Sequence, residues 1–449
     1  MATVENDELS PTSPIDESDT GILSGPNPEP GLNGAPVRWY DADRKEPYTR
    51  ITPFAEKHDP AVEFFFKPIT LTALGLALTA LAYIAMSSDV LEEGRDKSRW
   101  GVYAAVSAFL LFTMLHARDG PFIRPHPAFW RIVLGINLLY VLGMVFLLFQ
   151  DLPSARQMMT FLDPSLGVPL DERSYAEDCT LTPTVLWNAI DIFCLAHALG
   201  WFGKALILRD YWFCWILSIA FELAEYSLQH QLPNFAECWW DHWLLDVLIC
   251  NWIGTYLGMK TCSYFEVKHY TWRTFRQSRG LKSKGKRVLG QFSPHDWTTF
   301  QWEGTSSFRN YLVVVGLLAV FLMAELNPFY LKSLLWMEPS HPFVIARLAG
   351  VFLCALPAVR ELYQYVSDPR KAVRMGQHAW LLIATICTEL LCIIKWGQGQ
   401  FTEPFPSHIR VFLSIGAFLL VLYPSVRFGV PSARRYLVKH GRDKRTKIS

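Results

Sequence analysis

Five carboxylates fall within one thirty-residue stretch of an otherwise apolar region: Glu222, Glu225, Glu237, Asp241 and Asp246, in the run from Glu222 to Asn251. The flanking segments are hydrophobic enough to enter a lipid bilayer. A carboxylate at the centre of a membrane helix costs about 2.5–3.5 kcal/mol or more. One such residue can be an accident of packing, but five imply a shared polar site. Acids this close cannot all stay ionised without a counter-charge, and a hard divalent cation is the simplest one. Ca²⁺ suits the set because it accepts roughly six to eight oxygens in loose geometry, and Asn234 offers one more carbonyl. Zinc does not, since no Cys/His cluster has tetrahedral spacing. The alternative, that these acids pair with Arg or His or carry protons, stays open at this point.

Two histidines can work beside the acids. His197 is a general base by type, or a satisfied core histidine. His242 and Asp246 stand four apart and make a rival base–carboxylate pair. Lys204 lies seven residues beyond His197 on the same helical face. It either binds a phosphate or snorkels to the membrane interface.

The elements that position these groups are membrane helices. Of 449 residues, 51% are hydrophobic and 14% aromatic, and only 18% are charged, against roughly 25% in a soluble domain. The net charge of +1 gives no global field for nucleic acid. Apolar runs predict an all-α polytopic membrane protein of about ten spans, at roughly 67–87, 100–116, 130–150, 186–208, 210–229, 239–259, 308–326, 341–361, 375–395 and 408–428. Residues 1–45 read as a disordered acidic tail rich in Pro, Gly and Ser, without a signal-peptide pattern. Residues 431–449 read as a basic tail. Arg118, Arg124, the basic cluster from Lys260 to Arg287, Arg370, Lys371 and Arg374 all fall on the N-terminal side of the bundle. By the positive-inside rule that side is cytosolic, and both termini share it. Gly280–Arg287, G-L-K-S-K-G-K-R, is close to a phosphate-binding loop. Arg287 replaces the hydroxyl that would hold Mg²⁺, so it reads as a basic membrane-facing loop.

At 1.5 Å of rise per residue, His197 sits roughly 16 Å into its span, near mid-membrane. Glu222 and Glu225 are about 18 and 22 Å from the cytosolic face, and Asp241 and Asp246 about 4 and 12 Å in from the lumenal one. Glu222 and Glu225 share a helical face, as do Glu237 and Asp241. Asp246 is rotated away from that stripe on a straight α-helix, and either faces the fourth span or marks a distorted helix. L-P-N-F at 232–235 predicts a tight turn between spans five and six. Cys179 and Cys238 both fall in loops on the lumenal side, where a disulfide can form between them.

The stretch H-Q-L-P-N-F-A-E-C-W-W-D-H-W-L-L-D-V-L-I-C-N resembles the eukaryotic base-exchange phosphatidylserine synthases. D-G-P-F-I-R-P-H-P-A-F-W-R at Asp119–Arg131 and A-E-L-N-P-F-Y-L-K at Ala324–Lys332 do as well. The similarity runs from about residue 60 to 430, and E-Y-S-L-Q-H-Q-L-P-N-F with W-W-D-H-W is closer to the type 2 synthases. The resemblance implies a Ca²⁺-dependent exchange enzyme of the endoplasmic reticulum membrane. L-serine would replace ethanolamine on phosphatidylethanolamine, with phosphatidylcholine the alternative donor. It implies functional roles for His197, Glu222, Glu225, Asn234, Glu237, Asp241, Asp246 and Asn251. Glu222, Glu225, Glu237 and Asp241 would hold the metal. His197 and Asp246 would be catalytic. Asn234 and Asn251 would bind substrate, and Lys204, read from its position and not from the resemblance, would join them as a phosphate ligand. A homodimer is compatible with this reading, and direct attack and a phosphatidyl-enzyme intermediate both remain open. Three other classes fit less well. A cation-coupled transporter predicts repeated broken helices, and no internal repeat is visible. The D-G-x-x-A-R motif of the CDP-alcohol phosphatidyltransferases is absent. A lipid-binding scaffold has no need of acids beside a histidine.

Overall fold

The computed structural model describes residues 94–122, 124–170, 174, 176, 179–190, 192–267, 297, 299–367 and 375–430, with Leu76, Thr79, Ala82 and Tyr83. The acidic tail 1–45, most of the first expected span, Gly280–Arg287, residues 368–374 and the basic tail lie outside the described residues. The chain divides after Arg50, and every described residue belongs to the unit Ile51–Ser449.

The described chain is helical, with no strand among the described residues. The order is α1 (Gly94–His116), α2 (Pro127–Leu148), α3 (Leu152–Leu162), α4 (Pro183–Ala189), α5 (Ile192–Leu208) and α6 (Tyr211–Leu228). A 3₁₀ turn at Pro233–Phe235 leads to a π-helix, Asp241–Asn251, which runs straight into α7 (Trp252–Val267). Then come α8 (Phe308–Leu335), α9 (Pro342–Ser367), α10 (Gln377–Gly397) and α11 (Ser407–Pro424). Among the described residues, six helices are long and apolar enough to cross a membrane: those of α1, α2, α8, α9, α10 and the helix Ser407–Gly429 that contains α11. The chain is therefore an all-α membrane protein. The helices that carry the acids, α6 and the π-helix with α7, are not among the six. Their polar residues lower the hydropathy of the very segments that hold the site.

The expected span 186–208 is broken in two. Thr182 caps α4 through Val185 N, and the chain leaves helical geometry at Ile190 before α5 begins. Asp210 starts α6 by accepting from Phe213 N at 2.9 Å, satisfying one of the free donors at a helix N-terminus. Ser307 does the same for α8 through Asn310 N.

Contacts sort the helix ends into two sets. At one end, Arg99 donates to Phe161 O, Arg156 to Leu334 O, and Lys395 to both Leu148 O and Gln150 O. At the other, Gln377 donates to Arg118 O, Trp302 to Leu208 O, and Arg309 to Tyr365 O. Successive long helices thus run antiparallel. Trp297, Phe300 and Trp302 lie at this second end. Trp297 and Phe300 flank the Arg209 guanidinium, whose carbon is 3.6 and 4.5 Å from the two ring centres.

Close packing holds α5 against α7. Gly254 and Gly258 face α5 with the small-xxx-small spacing that lets membrane helices approach. A Cβ at Gly254 would collide with the Ala198 carbonyl, and one at Gly258 with Ala205 and the Phe202 carbonyl. Two glycines in α7 therefore set the height and rotation of the helix that carries His197.

Candidate active site

Glu222 and Glu225 stand three apart on α6 and are both buried. The π-helix meets them from the other arm of the hairpin. His242 Nδ1 lies 3.0 Å from Glu222 Oε2, 3.7 Å from Glu237 Oε2 and 3.9 Å from Glu225 Oε2. Among the described residues, Glu222, Glu225 and His242 form a group whose ligand atoms all lie within 4.8 Å of one another. Glu237 joins from the loop just before the helix. Asp241 is half-buried at the first position of the π-helix and is not in that converging group. The imidazole of His242, one residue beyond Asp241, thus stands among the acids.

The π winding settles the facing of Asp246. His242 and Asn251 are nine residues apart by number, about two and a half turns of an α-helix, which would leave them on opposite faces. With i→i+5 bonding each turn is wider, and the same nine residues make about two turns. His242, Asp246 and Asn251 then line one buried face. Asp246 Oδ1 reaches His197 Nδ1 of α5 at 3.2 Å. Asn251 Nδ2 donates to Ser218 Oγ at 3.0 Å and to Glu222 Oε1 at 3.3 Å. The i, i+4 pairing of His242 with Asp246 does not form. Each finds a partner on another helix.

The remaining expected residues fall around this core. Asn234 sits half-buried in the 3₁₀ turn predicted from L-P-N-F. Cys179 and Cys238 are joined in a disulfide with Cα atoms 5.3 Å apart, which ties the preceding loop to the residue next to Glu237. Lys204 does not snorkel. Its Nζ binds Glu325 Oε2 of α8 at 2.8 Å and stands 3.5 Å over the Trp201 ring. Of the two tryptophans before Asp241, Trp239 is exposed and Trp240 is buried. Glu325 was not singled out from the sequence as a site residue, although it lies in the A-E-L-N-P-F-Y-L-K motif. An acid inside an apolar span was the available signal.

Several atoms of the cluster lack partners. Glu225 Oε2, Glu237 Oε2, Asn251 Oδ1 and His242 Nε2 are buried without a hydrogen bond. Buried polar atoms are normally satisfied. Three unpaired oxygens that face a cluster of acids are the donor set a hard cation takes. Chemically the site offers an anionic cluster for a cation, with an imidazole–carboxylate pair beside it on the adjoining helix.

Residues 125–397 match the family model described as Phosphatidyl serine synthase. Phosphatidylserine synthase 2 of Homo sapiens is 41% identical over 373 residues, covering 81% of this chain and 77% of that protein. The protein of the same name from Danio rerio is 40% identical over 373 residues, covering 81% and 82%. A protein of Oryza sativa subsp. japonica named CDP-diacylglycerol--serine O-phosphatidyltransferase 2 is 38% identical over 382 residues, covering 82% and 90%. The histidine, acids and asparagines gathered on α5, α6 and the π-helix all lie inside the matched region. The chain belongs to the phosphatidylserine synthase family, on the side of the type 2 synthases, and is a multi-pass membrane phosphatidyltransferase.

Proposed function

We propose that the protein makes phosphatidylserine by head-group exchange. The L-serine hydroxyl attacks the phosphorus of phosphatidylethanolamine, and ethanolamine leaves. Phosphatidylcholine is the alternative donor. One phosphodiester replaces another, so the reaction needs no nucleotide. The observation that carries this reading is His197 paired with Asp246 beside a buried acidic cluster that has unsatisfied oxygens.

His197 takes the proton from the serine hydroxyl, and the departing ethanolamine oxygen is reprotonated by His197 or by water. Asp246 orients the ring and balances the charge that the imidazole gains, as a carboxylate does in other base–acid pairs. This commitment leaves Asp246 less free to hold an ammonium group. Asn251 braces Glu222 from the π-helix, and Asn234, in the turn before Glu237, would bind substrate. Glu222, Glu225, Glu237 and Asp241 would hold Ca²⁺, which supplies positive charge against the lipid phosphate. Direct attack is preferred to a phosphatidyl-enzyme intermediate because none of the positions that match the family's required residues supplies an obvious nucleophile other than His197.

We place the site at the lumenal end of a bundle of ten spans with both termini cytosolic, in the endoplasmic reticulum. The basic loops support this orientation. So does the Cys179–Cys238 disulfide beside Glu237, a bond that persists in oxidising compartments. The alternation of helix ends is what an up-and-down bundle requires.

The rice relative's name puts forward a second donor, CDP-diacylglycerol. A single assay separates the two. Purified protein is given labelled serine with phosphatidylethanolamine or with CDP-diacylglycerol, in Ca²⁺ or in chelator. Labelled phosphatidylserine from phosphatidylethanolamine, lost in chelator, is the expected result. No label from phosphatidylethanolamine, with label from CDP-diacylglycerol and release of CMP, replaces exchange by the second reading.

A further inference from the structure

Lys204 and Glu325 form a second charged group beside the acid cluster, contributed by α5 and α8. Their ion pair, 2.8 Å long, is largely buried: the two side chains are 16% and 19% exposed. Glu325 Oε1 is buried without a hydrogen-bond partner. Glu325 is within electrostatic reach of Glu225, and Lys204 of His197.

The height of the ammonium matters most. Helical side chains lean toward the N-terminus of their helix. Lys204 follows this rule, because its Nζ sits over the ring of Trp201, three residues earlier, and 5.7 Å from the ring of Phe221 beside Glu222. Trp201 is four residues, one turn, beyond His197, a rise of about 6 Å. The ammonium and the imidazole are therefore separated along α5 by about the length of one small amino acid.

We propose that Lys204 and Glu325 are the receptor for the zwitterion of the incoming serine. This rests on the exchange reading above. The serine carboxylate binds Lys204 Nζ, and the serine ammonium binds Glu325 through the oxygen that has no partner. The hydroxyl then points up α5 toward His197. Without substrate the two residues neutralise each other, so neither charge is left bare in the bilayer. A zwitterion inserted between them keeps both charges matched. Trp201 closes the wall beside the lysine.

The test uses purified full-length protein and two serine analogues. Serinamide lacks the anion, and 3-hydroxypropanoate lacks the cation. The readout is the ratio of kcat/KM for serine to that for each analogue in exchange with phosphatidylethanolamine, which does not depend on how much protein is folded. Lys204→Met should shrink the preference for serine over serinamide about ten-fold or more. Glu325→Gln should shrink the preference for serine over 3-hydroxypropanoate by a similar factor. The double variant, which leaves no single charge unpaired, should lose both preferences while still turning over serinamide. Ratios that stay at wild-type values, or a double variant inactive toward every acceptor, overturn the proposal. A wild-type protein that incorporates no serine overturns the exchange reading itself, a distinct outcome.

Discussion

The membrane region holds two buried clusters of opposite character. One joins α2, α8, α9 and α10. Arg347 makes a two-pronged pair with Glu389, Nε to Oε1 at 2.9 Å and NH2 to Oε2 at 2.6 Å. Tyr140 donates to Glu389 Oε1 at 2.7 Å and Asn327 to Oε2 at 3.0 Å. Arg347 also reaches the Ala324 carbonyl. Each charge is matched, and no buried side-chain nitrogen or oxygen of these four residues lacks a partner. The other cluster, around Glu222 and His242, carries several acids against one imidazole and keeps four buried atoms unpaired. A closed network fixes how helices pack. An open one stores binding capacity for something that is not protein. The same residue types serve both purposes, and the count of unmet hydrogen bonds tells them apart.

If that distinction holds, substitutions in the two clusters should fail in different ways. The largest effect belongs to the open one. His197→Ala should cut exchange activity by about 10²–10⁴-fold, with the thermal unfolding midpoint in detergent near that of the wild type. A variant with near-normal turnover would move the base to His242. In the closed cluster, Arg347→Met should cost about 3–5 kcal/mol of stability by leaving Glu389 buried without its partner. Its activity per folded molecule should change little. Replacing both, Arg347→Met with Glu389→Met, should recover much of that stability. A double variant as unstable as the single one would mean that the pair does more than balance charge. Next, Cys179→Ser should lower stability by about 2–4 kcal/mol, the usual range for a disulfide. It should also weaken Ca²⁺ activation, measured as a higher half-saturating concentration, because Glu237 is no longer anchored. The smallest effect is Tyr140→Phe, about 1.5–3 kcal/mol for one hydrogen bond to a charged group. It is read from the unfolding midpoint at unchanged KM.

The sequence showed most of the helices because apolar length is a local property. It also placed the acids in neighbouring helices, since depth follows from counting. It failed where the geometry is not local. The facing of Asp246 depends on a π-helix, and residue types do not announce a change from i→i+4 to i→i+5 bonding. The partner of Lys204 is 121 residues away, and that of Arg347 is on a different helix. Arg347 and Glu389 were not singled out at all, although opposite charges inside two apolar spans are a recognisable signal of a pair. His242 was read as a partner for Asp246 from spacing, when each residue pairs across a helix boundary, His242 with Glu222 and Asp246 with His197. The disulfide was open to sequence reading only because Cys179 and Cys238 fall in loops at one end.

The disulfide also bears on the order in which the protein comes together. It closes a loop between residues 59 positions apart. That loop contains α4, α5 and α6, and with them His197, Lys204, Glu222, Glu225 and Glu237. The π-helix begins three residues beyond it. In the orientation proposed above, the bond can form once Cys238 reaches the lumen, before α8 is complete. Chains mature from the N-terminus, so the helices that surround the acid cluster can be covalently gathered while Glu325 is still unmade. The wall that Glu325 supplies would then arrive last, against a half-site already held in place.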